Sequence, residues 1–318
     1  MIALSLVKNK KFKIIEKNIS SVLHPLKCRL QILYSGICAS DIPRAFNGMA
    51  YSYPLIMGHE FVGKIIQTGK SITKFSKNDT VSAYPLIPQC IHSPKKNKCD
   101  NCRNKNYNLC SNYSYYGSRI DGSFCEILDV YEWNLYKINK KIDNNICSLI
   151  EPIAVAFNIL DKFPKFLSKK NKILLIGSGF IGQILARILK KKKSNVNLVT
   201  LDRNLFKLKT IKKYSVDQFL FKNKNTKEDQ HLLTSLKEKF DLVIESSGNY
   251  KNFISSLNFI KKGGVVIFSG NPNNDVNFSK NEISNILRKE LTIKGVWNSS
   301  FKKKINNWKF AEGFLRNI

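Results

Sequence analysis

Cys38, His59 and Glu60 are the first residues in this chain whose types could do chemistry together. Cys38 lies in Ser35-Gly-Ile-Cys-Ala-Ser-Asp41 and His59 in Met57-Gly-His-Glu-Phe61. A thiolate and an imidazole are ordinary zinc ligands. With one carboxylate they make a three-ligand site that keeps a position open for a substrate oxygen. Glu151-Pro152 offers a further carboxylate much later in the chain. Spacing alone does not join residues 38, 59 and 151, and a single Cys or His is more often a packed residue.

A second set is more specific. Four of the eight cysteines fall within 21 residues, as Cys90, then Cys99-x2-Cys102-x7-Cys110. Four thiolates give a closed tetrahedral zinc site with a structural role. His92 competes for the fourth place. These cysteines sit among Lys, Asn and Asp, not among the apolar neighbours of buried free thiols. The opening MIALSLVKNKKFKII lacks the small-residue cleavage pattern of a secretory signal, so metal binding is favoured over disulfides.

The third set is Ile176-Gly-Ser-Gly-Phe-Ile-Gly182, a G-x-G-x-x-G string. Alone that motif is weak. Here an apolar strand candidate precedes it and a helical pattern follows. Gly177 suits a tight turn, Gly179 the close approach of a pyrophosphate, and Gly182 close helix packing. Amides at the start of the helix, at Phe180 and Ile181, then face the phosphates. Asp202 ends the next strand, 20 residues beyond Gly182. A carboxylate there favours the ribose hydroxyls of NAD, whereas Arg203 beside it would suit a 2′-phosphate.

The elements that must hold these groups change type near residue 150. Before it, Arg29–Ser35, Phe61–Gln67, Asp79–Tyr84, Phe124–Val130 and Asn134–Ile138 read as short strands separated by turns, a small barrel or sandwich. After it, Glu151–Phe163 is helical, and Lys172-Ile-Leu-Leu-Ile176 is the continuous apolar run of a buried parallel strand. Ile181–Lys191, Val196–Leu201, Leu205–Tyr214, Asp241–Glu245, Gly264–Phe268 and Glu290–Gly295 continue the alternation of helix and strand. That is a doubly wound α/β domain.

Composition excludes several classes. No stretch approaches the ~18 apolar residues of a membrane helix, so a cytoplasmic protein with no membrane partner is expected. The net charge of +30 invites a nucleic-acid reading. Yet the basic residues are scattered, in runs such as Lys190–Lys193, Lys95-Lys96 and Lys302–Lys304, and no element collects them. No specific nucleic-acid partner is therefore expected, only weak attraction to polyanions.

Taken in order, GIC-x-SD, GHE, the clustered cysteines, Glu151-Pro152 and the glycine loop resemble the zinc-containing medium-chain dehydrogenases along essentially the whole chain. The resemblance is tightest to the polyol-phosphate branch. It rests on Ser40-Asp-Ile-Pro-Arg-Ala-Phe46, Tyr53-Pro54, Gly117-Ser-Arg-Ile-Asp-Gly122 and Ile286-Leu-Arg-Lys-Glu-Leu-Thr-Ile-Lys-Gly-Val-Trp297. It implies a GroES-like β-rich catalytic domain at 1–153, with a structural zinc lobe at about 88–112. A Rossmann NAD-binding domain at 154–298 and a shortened C-terminal segment at 299–318 follow.

The resemblance also implies that Cys38, His59 and Glu151 ligate a catalytic zinc, with Glu60 joining the shell when substrate is absent. Cys90, Cys99, Cys102 and Cys110 would hold a structural zinc. Ser40 would hydrogen-bond the substrate alcohol. The family's proton-relaying histidine position is Pro43 here, which puts more weight on Glu60 and water. Arg44 and Arg119 are candidates for a substrate phosphate, and Tyr51, Tyr53 and Trp297 for lining the pocket. The implied reaction is oxidation of a polyol phosphate at a secondary alcohol, galactitol 1-phosphate at C5 to a ketose phosphate such as tagatose 6-phosphate. Hydride passes to NAD. The alternatives are a sorbitol- or threonine-type enzyme on an unphosphorylated substrate, or a non-catalytic NAD- and zinc-binding protein.

The resemblance further implies a homodimer, paired through a nucleotide-domain strand near Leu291–Trp297. Two departures stand out. Eight residues separate Cys90 from Cys99, six more than the family's usual spacing. The family also usually continues past Leu315-Arg-Asn-Ile318, so open strand edges and exposed apolar surface are expected in both domains.

Overall fold

The computed structural model describes residues 1–92, 98–139, 141–167, 171–191, 196–222, 224–302 and 306–317. The lysine pairs 95–96, 192–193 and 303–304, and the middle of the insertion after Cys90, lie outside these residues. The chain forms two compact units, Met1–Ala154 with Ser299–Ile318, and Val155–Asn298.

The first unit is built from short strands. They are β1 (Ile2–Lys8), β2 (Lys11–Glu16), β3 (Lys27–Gly36), β4 (Leu55–Ile56) and β5 (Glu60–Thr68). β6 (Thr80–Ala83), β7 (Leu86–Pro88), β8 (Tyr113–Tyr115), β9 (Ile127–Tyr131) and β10 (Leu135–Lys137) follow. Among the described residues β10-β6-β5-β3-β9 form one antiparallel sheet, β2-β1-β4 a second and β7-β8 a third. β5 sends Phe61 and Ile65 into the core against Leu30 of β3 and Val81 of β6, all four fully buried. The helices here are short: α1 (Asp41–Phe46), α2 (Gln89–His92), α3 (Asp100–Arg103) and α4 (Asn144–Cys147). α5 (Ile150–Asp161) begins in this unit and ends in the other.

The second unit is a parallel sheet. Its strands are β11 (Lys172–Ile176), β12 (Asn197–Asp202), β13 (Asp217–Leu220), β14 (Phe240–Glu245), β15 (Ile260–Phe268) and β16 (Thr292–Gly295). Their order is β13-β12-β11-β14-β15-β16, with every neighbouring pair parallel. Helices α6 (Phe180–Lys191), α7 (Leu205–Ile211), α8 (Lys227–Leu236), α9 (Tyr250–Phe259) and α10 (Lys280–Arg288) alternate with them. The chain steps outward from β11 to β13, returns to β14 beside β11, and steps outward the other way. The β11/β14 seam is thus the topological switch point, where open α/β sheets bind ligands.

Five features differ from the sequence reading. The N-terminal residues form a β1–β2 hairpin, turned at Lys10 with a positive φ of 62°. The strand expected at Phe124–Val130 begins only at Ile127, because residues 124–125 leave the ladder to meet β1. Leu4 N donates to Phe124 O at 2.8 Å, and Ala3 bridges Cys125. β13 has no counterpart among the expected strands, and the helix expected at Leu205–Tyr214 tightens to a 3₁₀ turn after Ile211.

The fifth difference is the C-terminal segment. Residues 299–317 do not stand apart but pack within the first unit as Ser299–Phe301 and α11 (Asn307–Leu315). Trp308 is fully buried, with its indole N–H on Ser299 Oγ at 3.0 Å. Phe301 stacks on Tyr84 at 5.0 Å. Glu312 accepts from Tyr136 Oη at 3.0 Å and from Asn139 N at 2.8 Å. This segment covers apolar surface that the sequence reading left bare. In the second unit β16, an edge strand of the sheet, is exposed along its length.

Candidate functional site

Two groups of potential metal ligands stand together among the described residues. In the first, Cys38, His59 and Glu60 bring one ligand atom each within 4.8 Å of one another. The local chain dictates this. β3 ends at Gly36, which pairs with Glu60 at the start of β5. A Cβ on Gly36 would lie 2.8 Å from Glu60 Oε2, so glycine makes room for the carboxylate. Beyond it the chain turns sharply at Cys38, where Cys38 N donates to Asp41 Oδ2 at 3.0 Å and Asp41 N to Cys38 O at 2.9 Å. On the other side, Gly58 has φ +94°, and the turn Gly117–Gly122 packs directly on its carbonyl.

The electrostatics of this place are those of gathered acids out of water. Burial, then Glu60, pushes the Cys38 thiol up. Burial, then repulsion from Glu60 and Asp41, pushes the Glu151 carboxyl well above the usual range. Burial alone accounts for most of the rise at Glu60 and Asp41. Burial, then Arg44, lowers His59 to about 3, so its imidazole is neutral and able to ligate. A thiol, a neutral imidazole and two carboxyls whose charges are mutually costly fit a divalent cation, which would reverse each of these costs. Glu151, in the first turn of α5, lies outside the compact group of three, and Glu60 completes it instead.

Asp41 was not singled out by sequence. Its Oδ1 lies 3.5 Å from His59 Nδ1, a buried nitrogen with no hydrogen bond of its own. A carboxylate on that side fixes the ring and directs the other nitrogen to a metal. Its place in GIC-x-SD was the available signal. Arg44 turns inward: its Nη1 donates to Ser40 Oγ at 2.9 Å and Asp41 Oδ1 at 3.2 Å. Tyr115, also unremarked in the sequence, sets its ring edge-on to His59 at 5.7 Å.

Arg119 is placed differently. Its guanidinium sits 4.6 Å from the Tyr51 ring centre and 4.7 Å from that of Tyr113. Its backbone N–H is on Tyr115 O at 3.0 Å. Tyr51 and Tyr53 are exposed in the first unit. Trp297 is exposed in the second, just past β16.

The second ligand group is Cys90, Cys99, Cys102 and Cys110, again within 4.8 Å. Cys90 lies in α2, Cys99 and Cys102 at the start and within α3, and Cys110 after the turn Tyr107–Leu109. Cys90 and Cys110 Sγ are 3.6 Å apart. That is far from the ~2.05 Å of a disulfide. It is close to the ~3.8 Å between sulfurs around tetrahedral zinc at 2.3 Å. Eight intervening residues therefore do not keep Cys90 from its partners. His92 stacks on Tyr131 at 4.0 Å and is not in the group.

In the second unit, β11 delivers the glycine loop to the start of α6. Gly177 has φ +101°, and a Cβ on it would collide with Ser247 backbone at 2.8 Å. A Cβ on Gly182 would lie 2.0 Å from Gly177 O, whereas Gly179 faces open space. Ser178 Oγ is buried without a partner. Asp202 accepts from Ser178 N at 2.6 Å and Asn204 N at 2.8 Å. Each carboxylate oxygen keeps a lone pair for a further donor. Phe180 and Arg203 are exposed and Ile181 is half-buried. An open glycine, helix-start amides and an unpartnered hydroxyl fit a dinucleotide.

Two family models cover these two units. The alcohol dehydrogenase GroES-like domain matches residues 24–140, and the zinc-binding dehydrogenase domain matches residues 181–313. The chain belongs to the zinc-containing medium-chain dehydrogenases. Galactitol 1-phosphate 5-dehydrogenase of Escherichia coli K12 is 29% identical over 287 residues, 90% of this dehydrogenase and 80% of that one. Sorbitol dehydrogenase of Halalkalibacterium halodurans is 26% identical over 293 residues, with the same shares covered. A crystal structure of galactitol-1-phosphate dehydrogenase from Escherichia coli matches with a TM-score of 0.88 and 25% identity, over 100% of this dehydrogenase and 89% of that chain. The fold is thus GroES-like plus Rossmann-type, in an oxidoreductase family that acts on alcohols and polyols. No described helix of this dehydrogenase is long and apolar enough to cross a membrane.

Proposed function

We propose that this protein oxidises a secondary alcohol of a polyol phosphate, galactitol 1-phosphate or a close relative, with zinc and NAD. The observation that carries the phosphate is Arg119. A guanidinium held between Tyr51 and Tyr113 is pre-oriented, and no ion pair of it with a carboxylate is recorded among the described residues. Such a planar donor suits a phosphate. Its main chain is tied to Tyr115, which packs on His59, so it belongs to the neighbourhood of the metal ligands. Arg44, engaged with Ser40 and Asp41, is the weaker candidate.

Cys38, His59 and Glu151, with Glu60 in exchange, would hold the catalytic zinc, whose Lewis acidity lowers the pKa of a substrate hydroxyl. Bound NAD supplies the hydride acceptor. The chain's own residues do the rest. Asp41 orients His59. Arg44 fixes the Ser40 oxygen, and the Ser40 hydroxyl, which also hydrogen-bonds Cys38, would exchange its hydrogen with the substrate hydroxyl. Pro43 carries no proton, so the released one passes from Ser40 to Glu60 or water. Cys90, Cys99, Cys102 and Cys110 would hold the structural zinc.

The test is NADH absorbance over a panel of polyols with and without phosphate, on metal-quantified protein. Arg119→Ala is expected to raise KM for phosphorylated polyols roughly 10- to 100-fold, the worth of one or two charged hydrogen bonds. Unphosphorylated polyols should be unaffected. Equal effects on both would favour the sorbitol-type reading, to which the similarity with a sorbitol dehydrogenase points. No turnover with zinc and NAD bound would sink the enzyme reading.

The exposed edge at β16 also supports a homodimer formed by pairing that strand with a second copy. Sedimentation at twice the chain mass, reduced to the single chain by Ile293→Pro, is the expected result. A wild-type chain sedimenting alone would overturn it.

A further inference from the structure

Glu245 is fully buried at the end of β14, on the switch-point seam, in register with Ile176 of β11 and Phe268 of β15. No ion pair is recorded for it among the described residues. Its partners are donors from the loop that follows. Oε1 accepts from Ser247 N at 2.9 Å and from Ser247 Oγ, and Gly248 N is shared between Oε1 at 3.2 Å and Oε2 at 3.3 Å. Burial pushes its carboxyl up to about 7 against these hydrogen bonds. A group so expensive to bury asks for a reason.

The surroundings supply one. Three strand ends meet at this carboxylate with almost no side chain between them. Gly177 packs on Ser247 backbone, Gly248 (φ +67°) on Asn271 O, and Gly270 on Gly248 N, where added Cβ atoms would lie at 2.8, 2.4 and 2.3 Å. The same Gly270 Cβ would lie 2.8 Å from Glu245 Oε2. Ser246 Oγ closes the ring, bonded to Ile176 O and Gly177 O at 3.1 Å each. The loop after β14 is thus pinned to the glycine loop after β11 by backbone contact, and its amides are turned inward by Glu245. In a trans peptide the carbonyl faces opposite to the N–H. The carbonyls of Ser246 and Ser247 are therefore held facing away from the carboxylate.

We infer that Glu245 is a positioning residue for the cofactor: by drawing the Ser247 and Gly248 amides inward, it fixes the Ser246 and Ser247 carbonyls as acceptors for hydroxyl or amide donors of the nicotinamide half of a dinucleotide. This rests on the reading that the second unit binds NAD. The adenine half is held elsewhere, by Asp202 and the glycine loop, so the two halves respond differently.

The experiment is calorimetric titration of the full-length, metal-loaded protein with NADH and, separately, with AMP. In Glu245→Gln an NH₂ takes the place of Oε2, so the carboxylate's charge and its half of the shared Gly248 N contact are both lost. NADH is expected to bind roughly tenfold more weakly, the worth of one hydrogen bond to a charged group, with AMP within about twofold of wild type. Ser247→Ala removes the hydroxyl and keeps both amides, so it should shift NADH affinity by less than Glu245→Gln does. It also serves as the test if Glu245→Gln does not fold: an unchanged NADH-to-AMP affinity ratio in Ser247→Ala then overturns the inference. An unchanged ratio in a folded Glu245→Gln overturns it as well, since a purely structural role weakens both ligands or neither. Wild-type protein that binds neither ligand would overturn the NAD reading itself.

Discussion

Cys38→Ala is expected to abolish turnover and remove one metal ion per chain while the other stays. On the proposed reading Cys38 would be one of three protein ligands in an open site. The Lewis acid it would help to hold is worth several kcal/mol of charge stabilisation at a reacting oxygen. Its loss therefore predicts a fall in kcat/KM of about a thousandfold or more. The structure makes the effect local. Cys38 is set by the Cys38–Asp41 turn, not by core packing, so the fold should survive. Elemental analysis should find two zinc ions per chain in wild type and one in the variant. Ser40→Ala, which keeps the metal, should lose less activity, on the order of a hundredfold, as expected for a proton-transfer partner. A Cys38→Ala protein that keeps both metals, or keeps wild-type turnover, would show that the group around His59 is a packed cluster and not a reaction centre.

How much of this was legible in the sequence follows from how local each signal is. The glycine loop was readable because β11, a tight turn and α6 are consecutive; Gly177 and Gly182 each answer a collision one strand away or within a few residues, while Gly179 keeps an open approach. The cysteine cluster was readable because thiols among lysines have few other uses. Residue type alone did not rank Glu60 and Glu151; the resemblance put Glu151 first, whereas the compact ligand group contains Glu60, which only assembly shows. Asp41 and Tyr115 act on His59 through space, and no spacing rule connects 41 or 115 with 59. β13 escaped because an edge strand of the sequence Asp217-Gln-Phe-Leu220 is half-exposed and carries no apolar run. The C-terminal segment escaped for the opposite reason. Trp308, Phe301 and Tyr84 are ordinary aromatics in sequence, and their burial depends on contacts more than 200 residues apart along the chain.

That aromatic set links the cysteine cluster to the C-terminal helix, which gives the other large effect. Tyr107 lies between Cys102 and Cys110 and sets its ring edge-on to Trp133 at 5.0 Å. Trp133 meets Phe301 at 5.6 Å, and Phe301 meets both Tyr84 and Trp308, at 5.0 and 5.4 Å. The lobe that carries the four cysteines is therefore one wall of the pocket that holds the C-terminal segment. Cys102→Ser is expected to lose the second metal ion and leave three buried or half-buried thiols facing one another without a cation. The metal's contribution is folding free energy. In a domain with its own core a loss of about 3 kcal/mol is a reasonable scale, which lowers Tm by roughly 6–12 °C. Two of the chain's three tryptophans, Trp133 and Trp308, sit in this set. Their emission should shift to the red as Phe301 and α11 loosen, and protease should then cut first near residues 299–307. Cys38→Ala should produce neither change. If Cys102→Ser loses its metal but keeps wild-type emission and Tm, the cysteine lobe and the C-terminal helix are independent, and the aromatic contacts between them carry no part of the stability.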